Sequence, residues 1–535
     1  MSKKKKTILA IVIPLVVIIL ILAGVGAYIL FGIVGVEGKK EYKQSEIVQN
    51  NKGTNVTVID ETVSYQTMKG FGASGAWWAQ EVGEWENSEE IISYLYDNKK
   101  GIGLNIYRYN LGAGSQDDEN LHDVGKRAEC FLQPDGSYDF SADHAAQNSL
   151  ATAKKLAGDD LRVTLFANSP PVSLTKNGLA YGSARRDGEP LESNLDASNY
   201  GAYADYCYTA AEHFVNDGYR VTDVSPINEP QFEWSAWYND DGTFSCNQEG
   251  CHYSEAEARD LMLAMVNKFS GSKLEAEAGV KVSMFESGAM EGENTTTSSY
   301  LDFMIGKGKK YVFKNKPLRD YFNNVSMHSY WSNEYGKITT SRLFADKYSN
   351  YSISATEYCQ MYNDTHTGVY YLIQEEENGT NGMTIEYGVA MADIIMKDLT
   401  IVNVDEWDWW LGCSFGVYTD GLVYVNRDNH SDIQPSKRLW CLGNFSKFID
   451  EGAIRYACSS GVDGISSCAF MNVDNSRVVV YVNNTKNDAA TTLAVDNEYE
   501  IYTTSAQYDL EKTASGQSGD AQINLPAMSV VTVVY

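Results

Sequence analysis

The sequence lacks the residue patterns that metal- and nucleotide-dependent proteins need. No two cysteines have Cys-x-x-Cys spacing and the 7 histidines are not clustered, so no zinc site is predicted. A GxxxxGK[ST] phosphate loop and a Gly-rich dinucleotide motif are also missing, and no cofactor is implied. Positive charge is scarce, because 43 Lys and Arg face 71 Asp and Glu, a formal net charge of −28. Such a charge excludes nucleic acid as a partner and favours neutral ligands.

Nine cysteines are present, and the sequence alone does not pair them. Cys246 and Cys251 could close one short loop, and Cys458 with Cys468 another, if the chain lies in an oxidising compartment. An odd total leaves at least one free thiol unless two chains pair. The oligomeric state does not follow from the sequence.

The first 36 residues differ in composition from the remainder. A basic cluster, Lys3 to Lys6, precedes an almost uninterrupted apolar run from Ile8 to Val36. The run is longer than the roughly 7–15 residues of a signal-peptide core, and roughly 20 suffice to span a bilayer. We therefore predict a transmembrane anchor over residues 1–36 and a polar stalk over 37–54, with the N-terminus cytoplasmic and the other domains outside the cell. Cleavage near Ala23–Ala27, which would release a secreted protein, is the alternative.

Eight short apolar runs, each ending in polar or aromatic residues and followed by helix-like segments, indicate a repeated β/α unit. The predicted strands are Met68–Ala73, Leu104–Tyr109, Val163–Asn168, Val221–Glu229, Val280–Glu286, Val325–His328, Ser352–Glu357 and Glu406–Trp410. Glu255–Lys268 and Tyr387–Thr400 are typical of the helices between them. The prediction is an α/β fold, a (β/α)₈ TIM barrel over residues 68–449.

The chain beyond about Asp450 has a different pattern. Segments such as "RVVVYVNNT" and "MSVVTVVY" alternate apolar and polar residues, with turn residues between them. The run "GTNVTVIDETVSYQTM" before the first barrel strand has the same pattern. We predict an attached β-sandwich domain built from residues 55–67 and 450–535, that is, from both sides of the barrel.

Two glutamates occupy the same setting in the predicted barrel. Glu229 in "VSPINEPQFEW" ends the fourth predicted strand, where Pro230 favours an extended backbone, and Glu357 in "SISATEYCQMY" ends the seventh. Catalytic residues of such barrels lie at the carboxyl ends of the strands. Two facing carboxyl groups suit glycosidic bond cleavage, with retention at a separation of about 5–5.5 Å and inversion at about 6.5–9.5 Å. A structural glutamate in a turn is the alternative for Glu229.

Five motifs together resemble glycoside hydrolase family 30. They are "GFGASGAWW" (Gly70–Trp78), "ANSPP" (Ala167–Pro171), "INEPQFEW", "MHSYW" (Met327–Trp331) and "TEYC" (Thr356–Cys359). The Asn-Glu-Pro motif alone is shared by many barrel glycosidases, whereas the ordered combination is specific. The resemblance covers nearly everything from about residue 55 onward and implies a retaining enzyme with a (β/α)₈ barrel and an attached β-sandwich.

The resemblance also implies roles for single residues. Glu229 matches the acid/base and Glu357 the nucleophile. Asn228 matches the residue that hydrogen-bonds the 2-hydroxyl of the sugar, Arg108 the residue that keeps the nucleophile ionised, and Tyr330 the tyrosine that contacts the nucleophile. The chemistry requires an ionised nucleophile and a protonated acid, so we expect the pKa values of the two glutamates to depart in opposite directions.

Further candidate substrate-binding residues come from the same motifs. Trp409 matches the tryptophan under the sugar, although Trp407 or Trp410 could take that place and Trp409 could instead pack between the domains. Glu286 could bind sugar or form a salt bridge. The remaining candidates are His328, Trp77, Trp78, Asn168 and Trp234.

The sugar is predicted from a loop motif, from "GFGASGAWWA" and from the negative charge, which argues against uronic acid decorations. "NQEGCHYS" (Asn247–Ser254) resembles the endo-β-1,6-galactanase branch of the family, which implies internal cleavage of neutral β-1,6-galactan side chains of arabinogalactan by double displacement. The chain departs from its relatives after "SPP", where Val172, Ser173 and Leu174 replace an aromatic residue. A β-1,6-glucanase or an exo-acting β-glycosidase is the alternative within the family. A membrane-tethered, non-catalytic carbohydrate-binding protein is the alternative of another class.

Overall fold

The computed structural model describes residues 45–186, 188–306, 312–313, 316–365, 369–375 and 380–535. The predicted membrane anchor lies outside these ranges. Within them, no helix combines the length and the apolar character needed to cross a membrane. The described chain begins with a short helix, α1 (Glu46–Gln49), whose first turn is capped by the Ser45 side chain, and with strand β1 (Val56–Thr67).

Eight parallel strands close into a barrel, as the sequence predicts. They are β2 (Gly70–Ser74), β3 (Ile106–Asn110), β4 (Arg162–Phe166), β5 (Arg220–Ser225), an interrupted fifth strand formed by β6 (Lys281–Val282) and β7 (Glu286–Ser287), β8 (Asn324–His328), β9 (Ser352–Glu357) and β10 (Glu406–Trp409). The pairing order is β6-β5-β4-β3-β2-β10-β9-β8-β7. Because β6 and β7 belong to one strand, this order closes on itself.

The fourth strand ends earlier than predicted. β5 stops at Ser225, because Pro226 lacks the N–H group that a further ladder bond requires. Glu229 lies beyond the strand with φ at 43°, in the left-handed region, which corrects the expectation of an extended backbone there. Hydrogen bonds from Glu286 N to Ile227 O (2.9 Å) and from Glu229 N to Glu286 O (2.8 Å) continue the contact with the fifth strand.

Helices cover the outside of the barrel. Their bounds are α2 (Ala79–Val82), α3 (Ser88–Tyr96), α4 (His144–Ala157), α5 (Tyr200–Asn216), α6 (Glu255–Phe269), α7 (Thr296–Leu301), α8 (Glu334–Lys347), α9 (Val369–Glu375), α10 (Ile385–Lys397) and α11 (Lys437–Ser446). Helix α6 begins at a capping box of Ser254 and Glu257 and buries a stripe from Ala258 to Phe269 at helical spacing. Single helical turns are formed by Val124–Lys126, Val172–Leu174, Ala197–Asn199, Leu274–Ala278, Asp302–Gly306, Leu318–Tyr321 and Asp398–Val402.

Small sheets lie outside the barrel and the β-sandwich. Strands β11 (Leu411–Ser414), β12 (Gly421–Asn426) and β13 (Asn429–Pro435) follow the eighth barrel strand and form a three-stranded sheet. Two-residue strands pair as Trp237–Tyr238 with Phe244–Ser245, and as Val312–Phe313 with Lys316–Pro317.

The predicted β-sandwich is also present. Its strands are β1, β14 (Ile454–Ser459), β15 (Ile465–Met471), β16 (Arg477–Asn483), β17 (Ala489–Val495), β18 (Tyr499–Thr504), β19 (Glu511–Gly516), β20 (Gly519–Leu525) and β21 (Ser529–Val534), paired in the order β19-β18-β21-β16-β15-β14-β1-β17-β20. β1 lies antiparallel to β14 and parallel to β17. Alternate residues such as Val479, Tyr481 and Val531 form the core of this domain. The exact domain boundaries stay a prediction.

All nine cysteines carry free thiols in the structure. Neither of the two possible disulfides, Cys246–Cys251 and Cys458–Cys468, is therefore formed.

Candidate active site

A groove of ≈ 820 Å³ opens at the carboxyl ends of the barrel strands. Its wall carries five of the residues that the sequence nominated as substrate-binding, together with both glutamates. These seven residues are Trp77, Asn168, Asn228, Glu229, Trp234, Tyr330 and Glu357. These residues follow or end the first, third, fourth, sixth and seventh barrel strands, and they line one cavity.

The two glutamates face each other across the bottom of this groove. One carboxylate oxygen of Glu229 and one of Glu357 lie within 4.8 Å of each other, and a nitrogen of His328 lies within the same distance of both. Inverting glycosidases need about 6.5–9.5 Å between the carboxyl groups to admit a water, and retaining ones about 5–5.5 Å. The observed approach fits the shorter class.

Glu357 is held by one donor on each oxygen. Arg108 Nη1 donates to Oε2 at 2.7 Å, and the Tyr330 hydroxyl donates to Oε1 at 3.0 Å. The Arg108 guanidinium is buried and lies 3.6 Å from the centroid of the Phe166 ring. This arrangement fixes the plane of the carboxylate with respect to the groove.

A third carboxylate, Glu286, lies below the first two and joins their partners. Its Oε2 accepts from Arg108 Nη2 at 3.1 Å, from His328 Nε2 at 3.2 Å and from the Thr356 hydroxyl at 2.5 Å. Of the two alternatives that the sequence left open for Glu286, the structure shows the salt bridge, because the side chain is completely buried and contacts no groove surface.

The buried charged groups in this cluster shift one another's pKa values. Burial alone would raise the pKa of Glu286, but the charges of Arg108 and His328 lower it to about 2. Burial would lower the pKa of His328, but Glu357, Glu229 and Glu286 raise it to about 10, so that both ring nitrogens carry protons at neutral pH. Its Nδ1 therefore donates to Glu229 Oε1 at 2.8 Å.

Arg108 was expected to lower the pKa of Glu357, but other effects outweigh it. Burial raises the pKa of Glu357, and although His328 and Arg108 act against it, Glu229 and Glu286 add to it. The pKa of Glu357 is thus raised and not lowered, contrary to the expectation for an ionised nucleophile.

Glu229, His328 and Glu357 are also close enough to surround a cation. A histidine ligand must turn a ring nitrogen toward the metal, but both ring nitrogens of His328 already hydrogen-bond to carboxylates, Nδ1 to Glu229 at 2.8 Å and Nε2 to Glu286 at 3.2 Å. These residues therefore do not fit a metal centre.

Asn228 is oriented by its neighbours. Its Oδ1 accepts from Arg108 Nη2 at 3.1 Å, and its Nδ2 donates to Asn168 Oδ1 at 3.1 Å. Because Arg108 can only donate, the amide of Asn228 has one possible orientation. One N–H of Asn228 and the amide nitrogen of Asn168 then remain for a ligand in the groove.

Three groove residues have backbones in the left-handed region, which is uncommon for such side chains. They are Trp77 (φ 65°), Glu229 (φ 43°) and Trp331 (φ 50°). Such residues cost about 1–3 kcal/mol each and persist at functional sites where surrounding contacts hold them. At Glu229 these contacts include the carbonyl, which accepts from Trp234 Nε1 at 2.9 Å.

Trp409 does not lie under the groove, which corrects the prediction. Its ring is buried outside the barrel wall, with Nε1 donating to Asp420 O at 2.5 Å, and Trp410 lines the groove instead. Successive residues of a strand point to opposite faces, so Trp410 shares the lumen side with Asp408. Trp410 packs edge-on against Trp77 at 4.9 Å between ring centroids.

Three other nominated residues do not reach the groove surface. Trp78 is buried at the start of α2 and donates through Nε1 to Ser74 O at 2.8 Å, because the chain turns away from the groove there. Arg108 and His328 are completely buried beneath the glutamates. They contact the reactive carboxyl groups and not the substrate.

Sequence reasoning missed several groove residues. Phe232 and Trp331 stand inside the quoted motifs and could have been selected as aromatic residues next to the acid and next to Tyr330. Lys126, Phe415, Tyr418 and Arg427 come from loops whose course no sequence pattern specified.

Comparison with known proteins agrees with this arrangement. Residues 54–424 match the sequence model of "O-Glycosyl hydrolase family 30", and residues 452–533 match the "Glycosyl hydrolase family 30 beta sandwich domain". A curated relative from Hypocrea rufa, named endo-beta-1,6-galactanase, is 24% identical over 430 residues, which cover 76% of each chain.

Solved structures share the fold over most of the chain. A conserved exported protein from Bacteroides fragilis superposes with a TM-score of 0.74 at 25% identity, covering 90% of this chain and 100% of the other. The catalytic domain of a xylanase C from Talaromyces cellulolyticus has a TM-score of 0.64 at 20% identity, covering 90% and 99%. The family match spans more than half of the sequence and both domains, and this chain therefore belongs to glycoside hydrolase family 30.

Proposed function

We propose that this glycoside hydrolase is a retaining endo-β-1,6-galactanase in which Glu229 is the acid/base and Glu357 the nucleophile. The observation that carries the mechanism is the approach of one oxygen of each carboxyl group to within 4.8 Å, a separation that fits direct attack by Glu357 better than attack by an intervening water.

The reaction follows from this geometry in two steps. In the first, Glu229 gives its proton to the glycosidic oxygen while Glu357 attacks the anomeric carbon, so the carbon–oxygen bond breaks and the shortened chain leaves. In the second, Glu229 takes a proton from a water whose oxygen attacks the same carbon and releases Glu357. Two inversions give net retention.

The buried residues support both steps. His328 donates to Glu229 Oε1, which leaves Oε2 as the oxygen that carries the proton toward the leaving group. Arg108 and Tyr330 each hold one oxygen of Glu357, so the attacking lone pair keeps its direction. The free N–H of Asn228 is placed to bind the hydroxyl next to the anomeric carbon.

The proposed sugar rests on two observations. The relative named endo-beta-1,6-galactanase aligns with three quarters of the chain, and the formal charge of −28 favours a neutral polymer over an acidic one. β-1,6-Glucan, which differs in the configuration of one ring hydroxyl, is the competing substrate.

Incubation with de-arabinosylated arabinogalactan, followed by sizing of the products over time, tests the sugar and the mode of cleavage. We expect oligosaccharides of mixed length at early times, with the new reducing end first appearing as the β-anomer in proton NMR spectra. Release of galactose alone would show an exo-acting enzyme. Cleavage of β-1,6-glucan but not of galactan would contradict the proposed sugar and leave the mechanism intact.

We also propose that the catalytic part is held outside the cell by an N-terminal membrane anchor. The apolar run Ile8–Val36 behind the Lys3–Lys6 cluster supports this, and a polymeric substrate must be cut before uptake. Fractionation of cells that express the chain should place the activity in the membrane pellet, where protease added to intact cells removes it. Activity in the culture medium, carried by a chain that lacks the N-terminal apolar run, would show that this segment is removed as a signal peptide.

A further inference from the structure

Three aromatic side chains next to the acid/base form a cluster that no catalytic step uses. Phe232, Trp234 and Trp331, here called the aromatic cradle, all line the groove. The Phe232 ring lies 5.9 Å from Trp234 and 5.5 Å from Trp331 between centroids, at interplanar angles of 85° and 70°. The three rings thus form the walls of a recess with apolar faces.

Two of the three cradle residues, Phe232 and Trp234, are hydrogen-bonded to the backbone of Glu229, and Trp331 joins them through its ring contact with Phe232. Trp234 Nε1 donates to Glu229 O at 2.9 Å, and Phe232 N donates to the same carbonyl at 3.2 Å. On the other side, Trp410 N donates to Tyr358 O at 2.8 Å, directly after the nucleophile, and Trp410 packs against Trp77. The groove therefore has one aromatic wall beside each reactive glutamate.

Two glycines make room for the cradle. A Cβ atom added to Gly250 would lie 2.5 Å from Cγ of Trp234, and one added to Gly288 would lie 2.3 Å from Cε2 of Phe232. Neither glycine has a positive φ, so space and not backbone conformation requires glycine at both positions.

The backbone at Trp331 supports the same conclusion. Its φ of 50° is strained for a tryptophan, and its N–H is held by Asp364 Oδ2 at 3.2 Å. The chain thus accepts a strained conformation at the position from which this ring faces the groove.

We propose that the aromatic cradle binds the neutral pyranose residues on the leaving-group side of the cleaved bond. Glu229 protonates the oxygen of the leaving chain, so the departing sugar must lie beside Glu229, where the cradle offers ring faces to its C–H surface. A binding site on this side as well as over Trp410 makes the enzyme act within a chain. This inference rests on the proposed function, because it uses Glu229 as the acid.

The test compares two substrates that differ only in the leaving group. Cleavage of β-1,6-galactotetraose releases a sugar as the leaving group. Cleavage of β-1,6-galactobiosyl fluoride releases a fluoride ion, which is too small to occupy the cradle. For Trp331→Ala we expect kcat/KM on the tetraose to fall roughly tenfold or more, and on the fluoride by a much smaller factor. Trp77→Ala, on the opposite wall, should lower both values by similar factors.

A second variant separates binding from folding. Phe232→Leu keeps an apolar side chain of similar volume but removes the flat face, and the thermal midpoint of each variant shows whether it folds. We again expect kcat/KM to fall much more on the tetraose than on the fluoride. Transglycosylation onto added galacto-oligosaccharides should also be lost. An equal loss on both substrates in folded Trp331→Ala and Phe232→Leu would overturn the proposal.

Failure of the proposed function remains distinguishable from failure of this inference. If the wild type cleaves another β-linked glycan, the sugar assignment fails and the same comparison runs with that glycan and its glycosyl fluoride. If it cleaves none, Glu229 does not act as the acid and the inference fails together with the mechanism.

Discussion

Replacement of Glu357 by Gly should abolish hydrolysis, and added azide should restore turnover with formation of the α-glycosyl azide. Loss of the nucleophile removes the covalent step, and deletions of this kind typically cost about four or more orders of magnitude in kcat. Azide then occupies the space vacated by Glu357 and attacks the anomeric carbon from the same face, so the product is inverted. The measurement is the NMR coupling of the anomeric proton, on an aryl β-galactooligoside.

Glu229→Gly is the matched control. Without the acid/base, the aryl substrate still forms the glycosyl-enzyme because its leaving group needs no proton, and azide attacks that intermediate from the opposite face to give the β-azide. An α-azide from Glu229→Gly and a β-azide from Glu357→Gly would exchange the two assignments. Equal behaviour of wild type and Glu357→Gln in sugar binding, with no turnover by either, would favour the non-catalytic binding protein.

Replacement of Glu286 by Gln should lower the free energy of unfolding by about 3–5 kcal/mol. Glu286 is the buried anion between Arg108 and His328, and removing one partner of a buried ion pair leaves charge without compensation. Chemical denaturation at neutral pH measures the loss. The control is Glu451→Gln, whose ion pairs with Arg162 and Arg220 are partly exposed and should cost about 1 kcal/mol or less.

The pH dependence of stability should change in the same variant. The pKa of Glu286 is lowered from 4.5 to about 2, so its contribution is present above pH 4.5 and is lost on acidification toward pH 2. The pKa of His328 is raised from 6.5 to about 10, so its contribution is present below pH 6.5 and is lost as the pH rises toward 10. In Glu286→Gln the acid limb should weaken, and the alkaline loss should become smaller and end at a lower pH, because His328 loses one of the carboxylates that raise its pKa. Unchanged profiles would contradict the role of Glu286 as the shared counter-ion.

The barrel was predictable because its strands are buried on both faces. Ser352–Glu357 is both the predicted and the observed seventh strand, and helix α6 differs from its prediction by one residue at its end. The fourth strand was misplaced at its carboxyl end, where two prolines interrupt the ladder within five residues. Apolar content locates a strand, whereas the residue at which it ends depends on local backbone chemistry.

The eighth strand shows why one site residue was assigned to the wrong neighbour. Trp407, Trp409 and Trp410 are all buried, so hydrophobicity does not distinguish the lumen from the outer wall. The useful signal was the polar residue Asp408, whose side chain can only face the lumen, because Trp410 then follows on the same side.

Glu286 shows a different limit. Its position at the end of the fifth strand was visible in the sequence, but its two cationic partners, Arg108 and His328, come from the second and sixth strands. Contacts between distant segments depend on barrel closure, which no local pattern specifies. For the same reason the aromatic residues of the loop after β11 escaped sequence analysis.

The position of β1 in the sandwich sets the order in which the chain can fold during synthesis. Val58 pairs with Ser459, so β1 leaves the ribosome about 400 residues before its antiparallel partner. At about 5–20 residues per second the strand waits tens of seconds while the entire barrel is made. Asp60 and Glu61 give this waiting strand charges that discourage pairing with another nascent chain. The first strand of the described residues is therefore among the last to be hydrogen-bonded, and a polypeptide that stops before Ile454 contains every barrel strand but leaves β1 without its neighbour β14.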